Sequence, residues 1–266
     1  MFPGGFAGAE AQLWLFLIAM IRPGAAFLAA PVFGASNVPV QVRLILSLAV
    51  GIPALAAVPF DLPVGGVASI AGVLLVMGEV IAGLALGFAV QVGYSAAMMA
   101  GEVIGNSMGL GFAQMVDPGS GASSPALGQF LQIIGTFLFL AMGGHLALAA
   151  IVVDSYRSLP PGEAWLGQGT INSVVMFGGD MFAAGMAIAL PVGFALILVQ
   201  VVMAMLARSA PAMNLFSVGM PATMIAGILL LAIAAPALGE GIASSIVRGL
   251  ELARQIASGH IAGGGG

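Results

Sequence analysis

The stretch VASIAGVLLVMGEVIAGLALGFAVQVG at residues 67–93 decides the class of fold, because Glu79 is its one charged side chain. A helix needs about 20 predominantly apolar residues to cross the hydrocarbon core, so this stretch is long enough to do so. The rest of the chain is of the same kind. Its 266 residues include 6 Lys or Arg and 10 Asp or Glu, so 6% are charged while 61% are hydrophobic. Ordinary soluble domains carry roughly 25% charge; the charge here is too scarce to cover a soluble globule. The apolar residues suffice for roughly six or seven crossings, which leaves no separate catalytic domain. A formal charge of −4 offers no basic surface for nucleic acid. The absence of cysteine removes disulfides, thiolate chemistry, iron–sulfur clusters and cysteine-based zinc sites.

Working outward, the first apolar segment covers 11–30 and is interrupted by Arg22-Pro23, where the missing amide hydrogen predicts a kink or a restart. A short joint at 31–42 is bracketed by Pro31 and Pro39, and the second segment runs from 43 to 58. Beyond 67–93, residues 94–128 are too apolar for an aqueous loop and too rich in glycine and polar interruptions for a simple lipid-facing helix. An irregular re-entrant or pore-facing segment is expected there, since nonhelical backbone at membrane depth is tolerated only against protein or a cavity. Further segments follow at 129–153, 180–206 and 215–238. The expected fold is all-α and membrane-integral. It has about six hydrophobic helices, several broken by Pro or Gly, in a single domain over 1–239, with a short amphipathic or flexible tail at 240–266.

Polar residues inside apolar sequence carry the functional information. Glu79 and Glu102 sit in two similar words, GEVIAG and GEVIGN. A charge at mid-membrane costs about 2.5–3.5 kcal/mol on insertion scales, so Glu79 faces protein, water or a partner. It is either a hydrogen-bonded packing residue or, with Glu102, Asp117 and His145, part of a polar seam. His145 has only His260 as a second histidine, so the expectation is a structural hydrogen bond and no metal site. Arg22 and Arg208 lie close to prolines and act as anchors, by snorkelling or by pairing with acids of this chain or a neighbour. The glycine pairs 83/87, 101/105 and 105/109 place small residues on one helix face for close packing. Met108, Gly109, Phe112 and Met115 are candidates for an adaptable apolar constriction, or for ordinary core filling in a chain with 16 methionines. Neither a nucleophile–base pattern nor the HExxH word is present, so no enzyme is expected.

Five ordered words give a family resemblance: RPGAAFLAAPVFGASNVPVQVR at 22–43, GEVIAGLALGF at 78–88, AGEVIGNSMGLGFAQMVDP at 100–118, LFLAMGGHLALAAIVVDSYRSLP at 138–160 and LARSAPAMNLFSVGMP at 206–221. In this order and spacing the chain resembles the FliR family of flagellar and type III secretion export-gate proteins. The resemblance implies a subunit of an inner-membrane gate at the flagellar basal body, built with FliP-like and FliQ-like subunits and beside a larger export-apparatus membrane protein. Unfolded flagellar subunits would pass through it, with no cofactor in the gate. It further implies tilted, broken hairpins that need not all cross the bilayer, and a plug-like segment from Gly105 to Asp117 holding Met108 and Phe112. Arg22, Pro31, Pro39, Arg208, Pro211 and Asn214 match recurring joint positions. Ser36-Asn37, PAMN at 211–214 and PATM at 221–224 depart from residues common in the family, which bears on local partner contacts. Two other readings stand beside this one. The first is the equivalent subunit of a virulence-type injectisome. The second is a self-contained proton- or cation-coupled solute transporter using Glu79, Glu102 and His145.

Overall fold

A computed structural model describes residues 5–56, 58, 69–110, 126–163, 167–209 and 219–259. Each apolar segment of the sequence overlaps a helix, and no strand occurs among the described residues. In chain order the helices are α1 (Gly5–Ala29), α2 (Val40–Ala56), α3 (Ile70–Ser107), α4 (Ala126–Ala141), α5 (Gly144–Ser158), α6 (Gln168–Ser209) and α7 (Met220–Ser258).

Three expectations change. Helix α1 passes through Pro23 without a break in its assignment. Helix α3 continues through 94–107, where irregular backbone was expected. The glycines there are packing surfaces: a Cβ at Gly101 would lie 2.6 Å from Gly128 Cα, so glycine is what lets α4 approach. Likewise, 240–258 is no separate tail. It prolongs α7, with Ile242, Ile246, Leu250, Ala253 and Ile256 buried on one face and Arg248, Glu251 and Arg254 exposed on the other. The length of the helices also revises the crossings. Helices α3, α6 and α7 are long and apolar enough to span a membrane. A fourth span results if α4 and α5, broken at Met142-Gly143, count as one. The apolar parts of α1 and α2 are shorter, at 13–29 and 40–54. At 1.5 Å per residue a helix like α3 is about 57 Å long, well beyond the roughly 30 Å hydrocarbon core.

The chain forms two compact units, and α3, α6 and α7 each contribute to both. The first comprises residues 1–93, 142–178 and 246–266. Here α1 packs on α2 and α3 at very close range. A Cβ at Gly51 would lie 1.9 Å from the Ala19 carbonyl oxygen, and one at Gly87 would lie 2.1 Å from that of Ala26. The joint between α1 and α2 is held by Arg43, whose Nε donates to the Phe33 carbonyl at 2.8 Å and whose Nη2 donates to that of Ala35 at 2.6 Å. Pro31 is buried in this joint, and Pro39 is exposed where α2 begins. The second unit comprises 94–141 and 179–245. Its core is built largely from small residues, including Ala96, Ala97, Ala100, Ala184 and Ala189, with Ile104, Leu131, Phe139, Val192 and Leu196 between them.

Candidate functional site: a buried charge cluster and the end of helix α3

In the first unit the structure brings Arg22 of α1 and Glu79 of α3 together, both fully buried. Arg22 Nε donates to Glu79 Oε2 at 2.9 Å and Nη2 to Oε1 at 2.6 Å, the two-pronged geometry that a planar guanidinium makes with a carboxylate. Two donors remain directed at α5. Nη1 donates to Ser155 Oγ at 3.0 Å, and Nη2 also donates to the Leu159 carbonyl at 2.8 Å. The Ser155 hydroxyl in turn donates to the Val152 carbonyl at 2.7 Å, so it accepts and donates without conflict. The Tyr156 ring lies beneath the guanidinium, 4.1 Å from its carbon, and its hydroxyl reaches the Ala19 carbonyl at 3.4 Å.

Two charges are tolerated in this dry position because four hydrogen bonds and a ring face replace the water that they lose. Leu159 follows the last turn of α5, where carbonyls lack partners within the helix, and a cation there also meets the negative end of the helix dipole. The cluster therefore ties α1, α3 and the C-terminal end of α5 together. Chemically it is a brace: both Glu79 oxygens are taken by a guanidinium, which keeps its proton at any physiological pH. The sequence marked Arg22 and Glu79 but did not pair them. Ser155, Tyr156 and Leu159 were missed, since residues more than 130 positions from Arg22 carry no local signal of the contact.

In the second unit, α3 ends at Ser107 in a tight helix stop. Gly109 N–H donates to the Asn106 carbonyl and Leu110 N–H to that of Gly105, each at 3.0 Å, around Gly109 at φ 85°. This is a Schellman turn, which needs the left-handed conformation that glycine adopts without strain. The next two carbonyls face side-chain donors from other helices. Gln200 Nε2 of α6 donates to Ser107 O at 2.6 Å, and Thr223 Oγ1 of α7 lies 3.3 Å from Met108 O. The Thr223 hydroxyl shares its hydrogen with the Met220 carbonyl at 2.9 Å. The Met108 side chain is 4% exposed, and a Cβ at Gly227 would lie 2.6 Å from its Cγ and Cε.

The remaining candidates are scattered. Glu102 is half-buried on α3 and makes no hydrogen bond or ion pair among the described residues. His145 is the second residue of α5, whose N-cap Gly143 has φ 70°. Its buried Nδ1 has no hydrogen-bond partner among the described residues, so the expected structural hydrogen bond is not made at that nitrogen. Arg208 is exposed near the end of α6. Phe112, Met115, Asp117, Pro211 and Asn214 lie outside the described residues. Among the described residues no three His, Asp or Glu side chains gather as a metal ion would require.

Comparison with known proteins gives the family. Residues 13–248 match the family described as bacterial export proteins, family 1. The flagellar biosynthetic protein FliR of Escherichia coli K12 is 32% identical over 223 residues, 84% of this chain and 84% of that protein. The protein of the same name from Pectobacterium carotovorum is 33% identical over 207 residues, 78% of each chain. That of Bacillus subtilis is 27% identical over 219 residues, 81% of this chain and 84% of its own. The chain thus belongs to family 1 of the bacterial export proteins, the family that includes the flagellar biosynthetic protein FliR.

Proposed function

We propose that the chain is a channel-forming subunit of the flagellar protein export gate, sited in the bacterial inner membrane at the basal body. It assembles with FliP-like and FliQ-like subunits, beside a larger export-apparatus membrane protein, and unfolded flagellar subunits pass through the assembly. The family match over 13–248 carries this reading, and it extends over almost every helix of the fold. The relatives compared above bear the flagellar name, which favours a flagellum over an injectisome.

Physical features support assembly with partners. In the most apolar stretch of α3, 56% of residues are buried within the chain, against 28% in α6 and 17% in α7. The faces of α6 and α7 require cover by lipid or by other helices. A self-contained cation transporter has less support, because Glu79 spends both carboxylate oxygens on Arg22. Within the assembly, the segment that follows α3, with Gly109 at its root and Phe112 and Met115 further on, narrows the export route. Thioethers and a phenyl ring seal by shape and yield to substrates of varied sequence.

The test is gentle extraction at native expression level followed by mass measurement of the intact particle. Recovery with several copies of two other small hydrophobic proteins is expected. Recovery of this chain alone, active in solute transport, would overturn the proposal.

A further inference from the structure

We propose that Gln200, Thr223 and Gly227 are positioning residues that seat the turn Ser107–Leu110 and so set the resting seal of the gate. This inference rests on the constriction reading above and concerns where the constriction segment is held.

The partners of the carbonyls at the end of α3, among the described residues, carry it. Those of Ile104, Gly105 and Asn106 accept from the amides of Met108, Leu110 and Gly109. Among the described residues, the Ser107 and Met108 carbonyls at this helix end have no backbone amide donor. In a chain this apolar, an unsatisfied carbonyl is strongly disfavoured in hydrocarbon, yet each of these two meets a side chain from a different helix. Gln200 comes from α6 at 2.6 Å and Thr223 from α7 at 3.3 Å. Gly227, one turn beyond Thr223 on α7, provides the hollow that receives the Met108 side chain. Two helices thus grip the backbone and one of them also grips the side chain. Met108 is thereby anchored at the end of α3, from which the constriction segment follows in sequence.

The grip consists of neutral hydrogen bonds and a flexible thioether contact, so it holds the turn without locking it. Loss of one such bond shifts a seated-to-unseated ratio by about three- to tenfold.

The test uses the full chain in its assembled complex and measures resting ion leak across the membrane alongside the amount of complex. Gln200→Leu, Thr223→Val and Gly227→Ala are each expected to raise the leak toward that of a deletion of 106–113, with normal assembly. Thr223→Ser keeps the hydroxyl and is expected to stay tight. Because the chain has no cysteine, Met108→Cys combined with Gly227→Cys gives a clean second readout. Oxidative crosslinking of this pair should be efficient, and should fall when Gln200→Leu or Thr223→Val is added. If the deletion leaks while the three single variants stay tight and crosslinking is unaffected, the positioning role is overturned and the constriction survives. If the deletion itself stays tight in an assembled complex, the constriction reading falls. The crosslink then still decides whether these residues seat the turn.

Discussion

The C-terminal ends of α5 and α3 solve one problem with different chemistry. Each leaves carbonyls without helical partners, in a chain with little water-like material to satisfy them. At α5 the Leu159 carbonyl meets the Arg22 guanidinium, which is also clamped on Glu79 and stacked on Tyr156. At α3 the Ser107 and Met108 carbonyls meet an amide and a hydroxyl, beside a methionine laid on a glycine. A charge-assisted cap is roughly twice as strong as a neutral one and fixes orientation. The α5 end is consequently braced, and the α3 end is held more weakly, by neutral hydrogen bonds. An export component has use for both, a fixed frame and a part that yields.

The largest expected effect breaks the brace. Arg22→Ala or Glu79→Ala leaves the other charge buried and alone, which costs about 3–5 kcal/mol, and the complex should barely accumulate in membranes. The double variant Arg22→Leu with Glu79→Leu removes both charges and is expected to recover much of that loss, because a buried pair and its apolar replacement are often close in stability. Membrane abundance and the Tm of the purified complex check both. A double variant that accumulates normally but does not export would show that the charges do more than brace.

Next in size is Gly83→Ala. A Cβ there would lie 2.3 Å from the Arg22 carbonyl oxygen and 2.8 Å from Ala25 Cβ, so α1 has to move and carries Arg22 with it. Overpacking of this kind costs about 1–3 kcal/mol. The Tm should fall, and less so in the Leu–Leu background, where no guanidinium geometry remains to be disturbed. Equal losses in both backgrounds would show that Gly83 acts on helix packing alone. Smaller again is Tyr156→Leu, which removes the ring beneath Arg22. The expected loss is about 0.5–2 kcal/mol, against almost none for Tyr156→Phe, which keeps the ring face.

The two helix ends also differ in how far the sequence revealed them. Apolar runs with few charges located the described helices, since hydrophobicity and length are local properties, but read 129–153 as one helix where the structure has α4 and α5. Those runs could not show how far a helix continues past its apolar part. Residues 94–107 read as irregular because glycine and polar residues interrupt them, and 240–258 read as the start of an amphipathic or flexible tail because acidic and basic residues alternate there. They are helical, and glycines there such as Gly101 and Gly249 serve as packing surface for a neighbouring helix. In the α3 end, Gly109 was legible as special, and the structure gives the reason in its positive φ. Gln200 and Thr223 were not legible, each being one polar residue in a helix some 90 or more positions from its partner carbonyl. In the α5 end both charges stood out as improbable inside apolar sequence, but their pairing is a tertiary fact.

The smallest prediction separates two glycines that the sequence treats alike. Gly101 and Gly105 lie one turn apart on α3, both at the spacing that signals close helix packing. Only Gly101 has backbone against it, with Leu127 O and Gly128 Cα each at 2.6 Å from an added Cβ. Around Gly105 the nearest atoms are side-chain carbons of Leu110 and Leu127 at 3.6 Å, an ordinary contact distance. Gly105→Ala is therefore expected to be tolerated and to stabilise α3 by about 0.5–1 kcal/mol through the lower backbone entropy of alanine. Gly101→Ala should lower the Tm. The gain also bears on the grip at the α3 end, because Gly105 supplies the carbonyl that closes the Schellman turn and its added methyl would lie against Leu110. A stiffer last turn should reduce resting leak slightly, or leave it unchanged, while the Tm rises. An increase in leak at a raised Tm would mean that the turn has to flex in order to seal, and the contrast between a fixed and a yielding helix end would need to be redrawn.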